Sequence, residues 1–170
     1  MSLPSPSPTT DVIVTGASSG IGTELARGLA RRGHNLVLVV RRKDRLDALA
    51  ESVRADHGVA VTVRPCDLGD AADRAALIEE LRDTGVSCTA LCPGPVPTEW
   101  ASVAGAQSWM LGSVTVSAEQ VAEDGITGMA QGKRSVVPGV VPKAVATAGR
   151  FVPRTMLLPG ITLSERFRRG

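Results

Sequence analysis

The sequence predicts a three-layer α/β fold, a doubly wound parallel sheet shortened to about five strands, and three observations predict it. Short apolar runs alternate with segments of helical periodicity along most of the chain. A glycine-rich turn stands at the first junction between such a run and a helix. With 43% hydrophobic residues among 170, one domain can bury a core, and the scarcity of aromatics (two Trp, two Phe, no Tyr) makes that core aliphatic.

Residues 1–10 are rich in Pro and Ser and are expected to be a disordered lead-in. The first strand is Val12-Ile13-Val14, ending at Thr15, and the helix that follows carries Ile21, Leu25 and Leu29 at i, i+4 and i+8. Asn35 to Val40 is the second strand and Val59 to Val63 the third. Asp70 to Arg82 reads as a helix with Leu77, Ile78 and Leu81 inward. It passes through Asp83-Thr84-Gly85 into a strand from Val86 to Leu91, expected beside the first strand. Ser117 to Gln131 is the last large helix, with Ser117 and Gln120 as a capping box, Ala122, Ile126 and Met129 inward, and Gly132 as the C-terminal cap. Arg134 to Val137 is a short final strand. These boundaries make 11–138 one domain and leave 139–170 as a basic segment cut by Pro142, Pro153 and Pro159.

The chemistry concentrates at strand ends. Thr15-Gly16-Ala17-Ser18-Ser19-Gly20-Ile21-Gly22 places three glycines where a backbone must turn sharply and approach a ligand without a Cβ in the way. The unpaired amides that open the helix then face a pyrophosphate, with Gly16, Ser18, Ser19, Gly20, Ile21 and Gly22 as the cradle of a dinucleotide. Arg41, with Arg42 beside it, stands 19 residues after Gly22, where such folds read the ribose. A guanidinium fork there suits a 2′-phosphate and favours NADP(H) over NAD(H), the alternative being a solvated basic helix start. At the end of the third strand, Asp67 is an acceptor for an adenine amino group with Leu68 covering the ring, or else a helix cap, a role open to Asp70 too.

On these residues the chain resembles the short-chain dehydrogenase/reductases. The glycine turn is similar to their cofactor motif, and Arg41 and Cys66-Asp67-Leu68 are similar to their NADP(H) and adenine contacts. Leu91-Cys92-Pro93-Gly94-Pro95-Val96-Pro97-Thr98 resembles their P-G-x-x-x-T element, which borders the nicotinamide; the resemblance gives Pro93, Gly94 and Thr98 those roles. It implies a Rossmann-like dinucleotide-binding domain and hydride transfer between a nicotinamide and a carbonyl or alcohol. The departure is large. The family's N-N-A-G turn, catalytic serine and Tyr-x-x-x-Lys fall between the third strand's helix and the P-G element, and this chain has none of them, nor any tyrosine. The chain reads as carrying an internal deletion. No catalytic residue is assigned, and turnover is expected to be impaired or lost, since general acid–base help is worth about 10²–10⁴-fold in rate.

No other set replaces what is missing. His34 and His57 are expected at the surface, and Cys66, Cys88 and Cys92 as small buried thiols without metal spacing, so no metal is expected. No signal-peptide core or membrane-spanning run is present in the sequence, from which a cytoplasmic location is expected. From Lys133 onward the chain carries +7 against −5 for residues 1–132. That tail is a candidate for peripheral contact with an anionic membrane or a partner, whereas nucleic acid is not expected without a recognition module. Three functions remain in view: an NADP(H)-dependent oxidoreductase by lineage, a non-catalytic NADP(H)-binding remnant, and a surface-associating protein. Substrate and oligomeric state are left open.

Overall fold

A computed structural model describes residues 3–18, 20–41, 44–98 and 115–148. Its core is a parallel sheet of β1 (Asp11–Thr15), β2 (Asn35–Val40) and β3 (Val61–Pro65), connected by helices α1 (Gly20–Arg31) and α2 (Asp44–His57). The strands lie in the order β1-β2-β3, with Ile13 opposite Val37 and Val37 opposite Thr62. Because side chains alternate across a strand, Val12, Val14, Leu36, Leu38, Val40 and Val61 share one face. They are buried against Ala26, Leu29 and Ala30 of α1 and Leu46, Ala50 and Val53 of α2. Full burial of each Val or Leu is worth roughly 1.5–3 kcal/mol, so this layer is the main stabilising unit.

The third strand is displaced two residues from its expected place. Val59 is apolar and buried, which extends the run seen in the sequence, but the ladder to β2 begins only at Val61. Helix α3 (Ala71–Leu81) follows, with Asp70 as N-cap accepting from the amides of Ala72 and Asp73. Arg64, which is opposite Val39 in the ladder, pairs with Glu80 at 2.6 Å, so α3 lies on the side of the sheet away from α1 and α2. Helices therefore flank the sheet on both faces, as the layers of a three-layer fold require. The inward face expected of α3 does not form: none of its residues is buried, Leu77 and Leu81 are half-covered, and Ile78 is 63% exposed.

The expected single sheet of about five strands is instead divided, among the described residues, into two ladders. Only Ala90–Leu91 of the Val86 to Leu91 segment is a strand, β4, and it pairs in parallel with β5 (Ser135–Val136) and not with β1. Val86 is 54% exposed, whereas Leu91 meets helix α4 (Ala118–Ala130) at Gly125. Pairing forms only where that helix supplies a cover. Ser117 caps α4 by accepting from the Gln120 amide at 3.1 Å, but the Gln120 side chain donates to Asp124 and leaves the capping box half made. Ala122 and Ile126 are buried as expected, and Gly132 ends the helix at φ +68°.

Helix α4 packs along α1. A Cβ on Gly28 would stand 2.7 Å from Ile126 Cδ1, so the glycine sets how closely the two helices approach. Arg31 and Arg32 close the same interface by ion pairs to Glu123 at 3.2 and 2.5 Å. Residues 3–10, expected as a disordered lead-in, lie against this region: the Leu3 amide donates to Met129 O, and Asn35 Nδ2 donates to Ser7 O. The segment expected to be broken at Pro142 begins as helix α5 (Val140–Ala148), with the proline in its first turn, where no amide is needed. No helix among the described residues is long and apolar enough to cross a membrane.

Candidate functional site

Two backbone bonds assemble the site. The Gly16 amide donates to Val39 O at 3.1 Å, and the Cys66 amide donates to Val40 O at 2.9 Å. They extend the ladders of β1-β2 and β2-β3 by one residue each. The glycine turn, Arg41 and Asp67 thus leave the sheet side by side at its carboxyl edge, which is where open α/β sheets bind ligands.

The glycine turn has the conformation its spacing implies. Gly16 and Gly20 have φ of +67° and +54°, values that residues with a Cβ rarely adopt. Space around Gly16 is open, with nothing within 4 Å of a would-be Cβ, whereas a Cβ on Gly22 would lie 2.2 Å from Gly16 O. Gly22 therefore lets the turn fold onto the start of α1, and Gly16 leaves its outer surface free for a ligand. Thr23, which the sequence reading passed over, donates from Oγ1 to Ala17 O at 3.0 Å and ties the turn to the helix. A hydroxyl residue one position beyond the last glycine was its only signal. Ala17 beneath is fully buried, and Ser18 and Ile21 are half-buried. Ser19 and Arg42 lie outside the described residues.

Arg41 is exposed at the end of β2. Asp67 accepts the Gly69 amide at Oδ1, 2.8 Å, while its own amide donates to Asp73 Oδ2. Asp70, not Asp67, caps α3. Arg74 donates to Leu68 O at 2.8 Å and fixes that backbone, and the Leu68 side chain is left 39% exposed above the sheet edge.

The P-G-x-x-x-T segment reaches the same place from far along the chain. A Cβ on Gly20 would stand 2.8 Å from Thr98 Cγ2, so Thr98 rests on the opening residue of α1. Val96 is buried beneath the loop, Pro93 is half-buried, and a Cβ on Gly94 would meet Pro142 Cγ at 2.8 Å. Helix α5 thereby backs the loop. The remaining titratable residues of interest sit elsewhere or differ from expectation. Cys88 and Cys92 are exposed and only Cys66 is buried, because β4 is too short to cover them. His34, expected at the surface, is 3% exposed in the turn between α1 and β2. No group of three or more His, Cys, Asp or Glu among the described residues is placed to hold a metal.

The comparisons with known proteins agree with this geometry. The family model "short chain dehydrogenase" matches residues 10–84. A 7beta-hydroxysteroid dehydrogenase of Clostridium sardiniense is 45% identical over 73 residues, 42% of this chain and 27% of that protein. An uncharacterized oxidoreductase of Listeria monocytogenes is 30% identical over 132 residues, 76% of this chain and 49% of that one. In its match to the first curated relatives the chain spans about a quarter of their length. A short-chain dehydrogenase from Sphingobium yanoikuyae, solved in complex with NADPH, superposes with a TM-score of 0.64 at 21% identity, covering 88% of this chain and 95% of that one. The fold is thus Rossmann-like, and residues 10–84, which contain the glycine turn, match the short-chain dehydrogenase family.

Proposed function

We propose that this chain is an NADP(H)-binding protein of oxidoreductase lineage that holds the adenosine-phosphate half of the cofactor and has lost most or all turnover. The convergence of Gly16, Arg41 and Asp67 at one sheet edge, through the Gly16–Val39 and Cys66–Val40 bonds, carries this reading. The residues present fit the group. Gly16 leaves an open surface against which a Cβ would project, and the first amides of α1 have no intrahelical partner. Arg41 would take the 2′-phosphate, Leu68 would cover the adenine, and the free oxygen of Asp67 would accept its amino group. Pro93, Gly94 and Thr98 would border the nicotinamide, with Thr98 already seated on Gly20. When bound, the dinucleotide supplies a hydride donor or acceptor. What the chain lacks is the group that moves the accompanying proton: the sequence has no tyrosine, and Lys43, Lys133 and Lys143 stand in no matching motif. The missing block is an internal deletion relative to the family pattern.

NADPH and NADH titrations, followed by fluorescence, test the reading. NADPH is expected to bind more tightly, and Arg41→Ala to weaken NADPH by about tenfold or more, the loss of ~1.5–3 kcal/mol for a hydrogen bond to a charged group, with little effect on NADH. A carbonyl panel is expected to show no turnover above that of the Gly16→Val protein. Equal affinity for both cofactors, unchanged by Arg41→Ala, would remove the phosphate assignment.

A further inference from the structure

The loop from Cys66 to Asp70 is tied to helix α3 by more bonds than the helix needs. Asp70 alone caps it, accepting from the amides of Ala72 and Asp73. Asp73 stands three residues after the cap, where an acidic side chain ordinarily turns back to the cap's own amide. That amide is already given to Asp67 O at 2.8 Å, and Asp73 Oδ2 reaches past it to the Asp67 amide, also at 2.8 Å. Arg74 puts a positive charge near the positive end of the helix dipole, an unfavourable place for a cation. Its Nη1 donates backward to Leu68 O at 2.8 Å. The two side chains thus hold consecutive loop residues from six positions away, and neither bond closes a helix end.

We infer that Asp73 and Arg74 are positioning residues that give the nucleotide end of the site its preference for an adenine base. This rests on the reading of Asp67 as acceptor for the adenine amino group. A carboxylate favours a donor on the base and disfavours a carbonyl oxygen there. It discriminates only as far as it is held in place, because a loose side chain turns away from a mismatched base at little cost. Asp67 Oδ1 is engaged by the Gly69 amide, so the held backbone and this bond together fix where the second oxygen stands. Helix α3 buries none of its residues, and what it contributes to the site is this pair of tethers and not an apolar wall.

Titration of the full chain with NADPH and with its hypoxanthine analogue, deamino-NADPH, followed by nicotinamide fluorescence, tests the inference. Hypoxanthine carries a carbonyl oxygen where adenine carries the amino group, and the unaltered chain is expected to prefer NADPH. In Asp73→Ala and in Arg74→Met that preference should fall by about threefold or more, the size of one ordinary hydrogen bond. The preference for NADPH over NADH, set by Arg41, should stay. Asp73→Asn, which keeps an acceptor for the Asp67 amide, should restore the base preference. Base preference unchanged in both Asp73→Ala and Arg74→Met would overturn the positioning role and leave the cofactor reading standing. Base and phosphate preferences that decline together would also overturn it, since they would mark a general loosening of the fold. NADPH bound without base preference in the unaltered chain would remove the Asp67 assignment and this inference with it, and binding of neither dinucleotide would remove the cofactor reading as well.

Discussion

His34 carries a cost that its neighbours explain. It is 3% exposed, its Nδ1 has no hydrogen-bond partner among the described residues, and the residues on either side of it meet the N-terminal segment: Gly33 faces Pro6, and Asn35 holds Ser7. A buried ring nitrogen left unpaired costs roughly 1–3 kcal/mol. Burial first, and the Arg32 charge second, hold the imidazole below its ordinary value of 6.5. The unfolded chain therefore takes up a proton near 6.5 while the folded one still refuses it, so stability is complete above that pH and declines as the pH falls below it. We expect the urea midpoint to drop between about pH 7.5 and 5.5, and the drop to vanish in His34→Leu. A midpoint independent of pH in both proteins would show that the ring is hydrated. Nothing in the sequence forecast this burial, since a histidine between a helix end and a strand start looks like a surface residue until the distant Pro6 to Pro8 stretch closes over its surroundings. The glycines are the opposite case. Their spacing implied a sharp turn that needs glycine, and the positive φ of Gly16 and Gly20 agrees with it because backbone geometry is local, while the seat of Thr98 on Gly20 depends on the whole fold.

The α1–α4 interface is where helix packing decides stability. Ile126 is 2% exposed and lies against Gly28, so Ile126→Ala should cost about 2–5 kcal/mol, read as a shift in denaturant midpoint at unchanged slope. Glu123→Gln at the rim should cost under about 1 kcal/mol at moderate salt, although Arg32 and then Arg31 hold the carboxyl below its usual range, because the pairs are partly solvated. A larger effect from Glu123 than from Ile126 would reverse this ranking. Helix α4 was legible because its cap and its apolar stripe agreed with each other. Helix α5 was not, since a proline reads as a breaker unless the first turn can be located. Helix α3 shows a third outcome, in which periodicity located the helix yet said nothing of whether a neighbour exists to bury Leu77, Ile78 and Leu81.

Over the whole molecule, the three-stranded unit and the β4–β5 pair differ in what holds them. The former has a continuous aliphatic layer with two helices, and the latter has two residue pairs beneath α4. Exchange at Ala90 and Cys92, whose amides donate to Arg134 O and Val136 O, is expected to be faster than at Leu36, whose amide donates to Ala60 O, because short ladders open without global unfolding. Equal rates would mean that both units unfold together. The consecutive βαβαβ order was readable because each strand pairs with its sequence neighbour, whereas the 3+2 division depends on which surfaces find cover. One feature joins the two units. Helix α1 begins at the glycine turn and ends at Arg31 and Arg32, which Glu123 fastens to α4. A molecule that settles on the turn also favours every state in which α1 is formed, adding about 2.7 kcal/mol at a hundredfold excess over its Kd. In a cell, how long such a chain escapes proteolysis would then follow the supply of that small molecule.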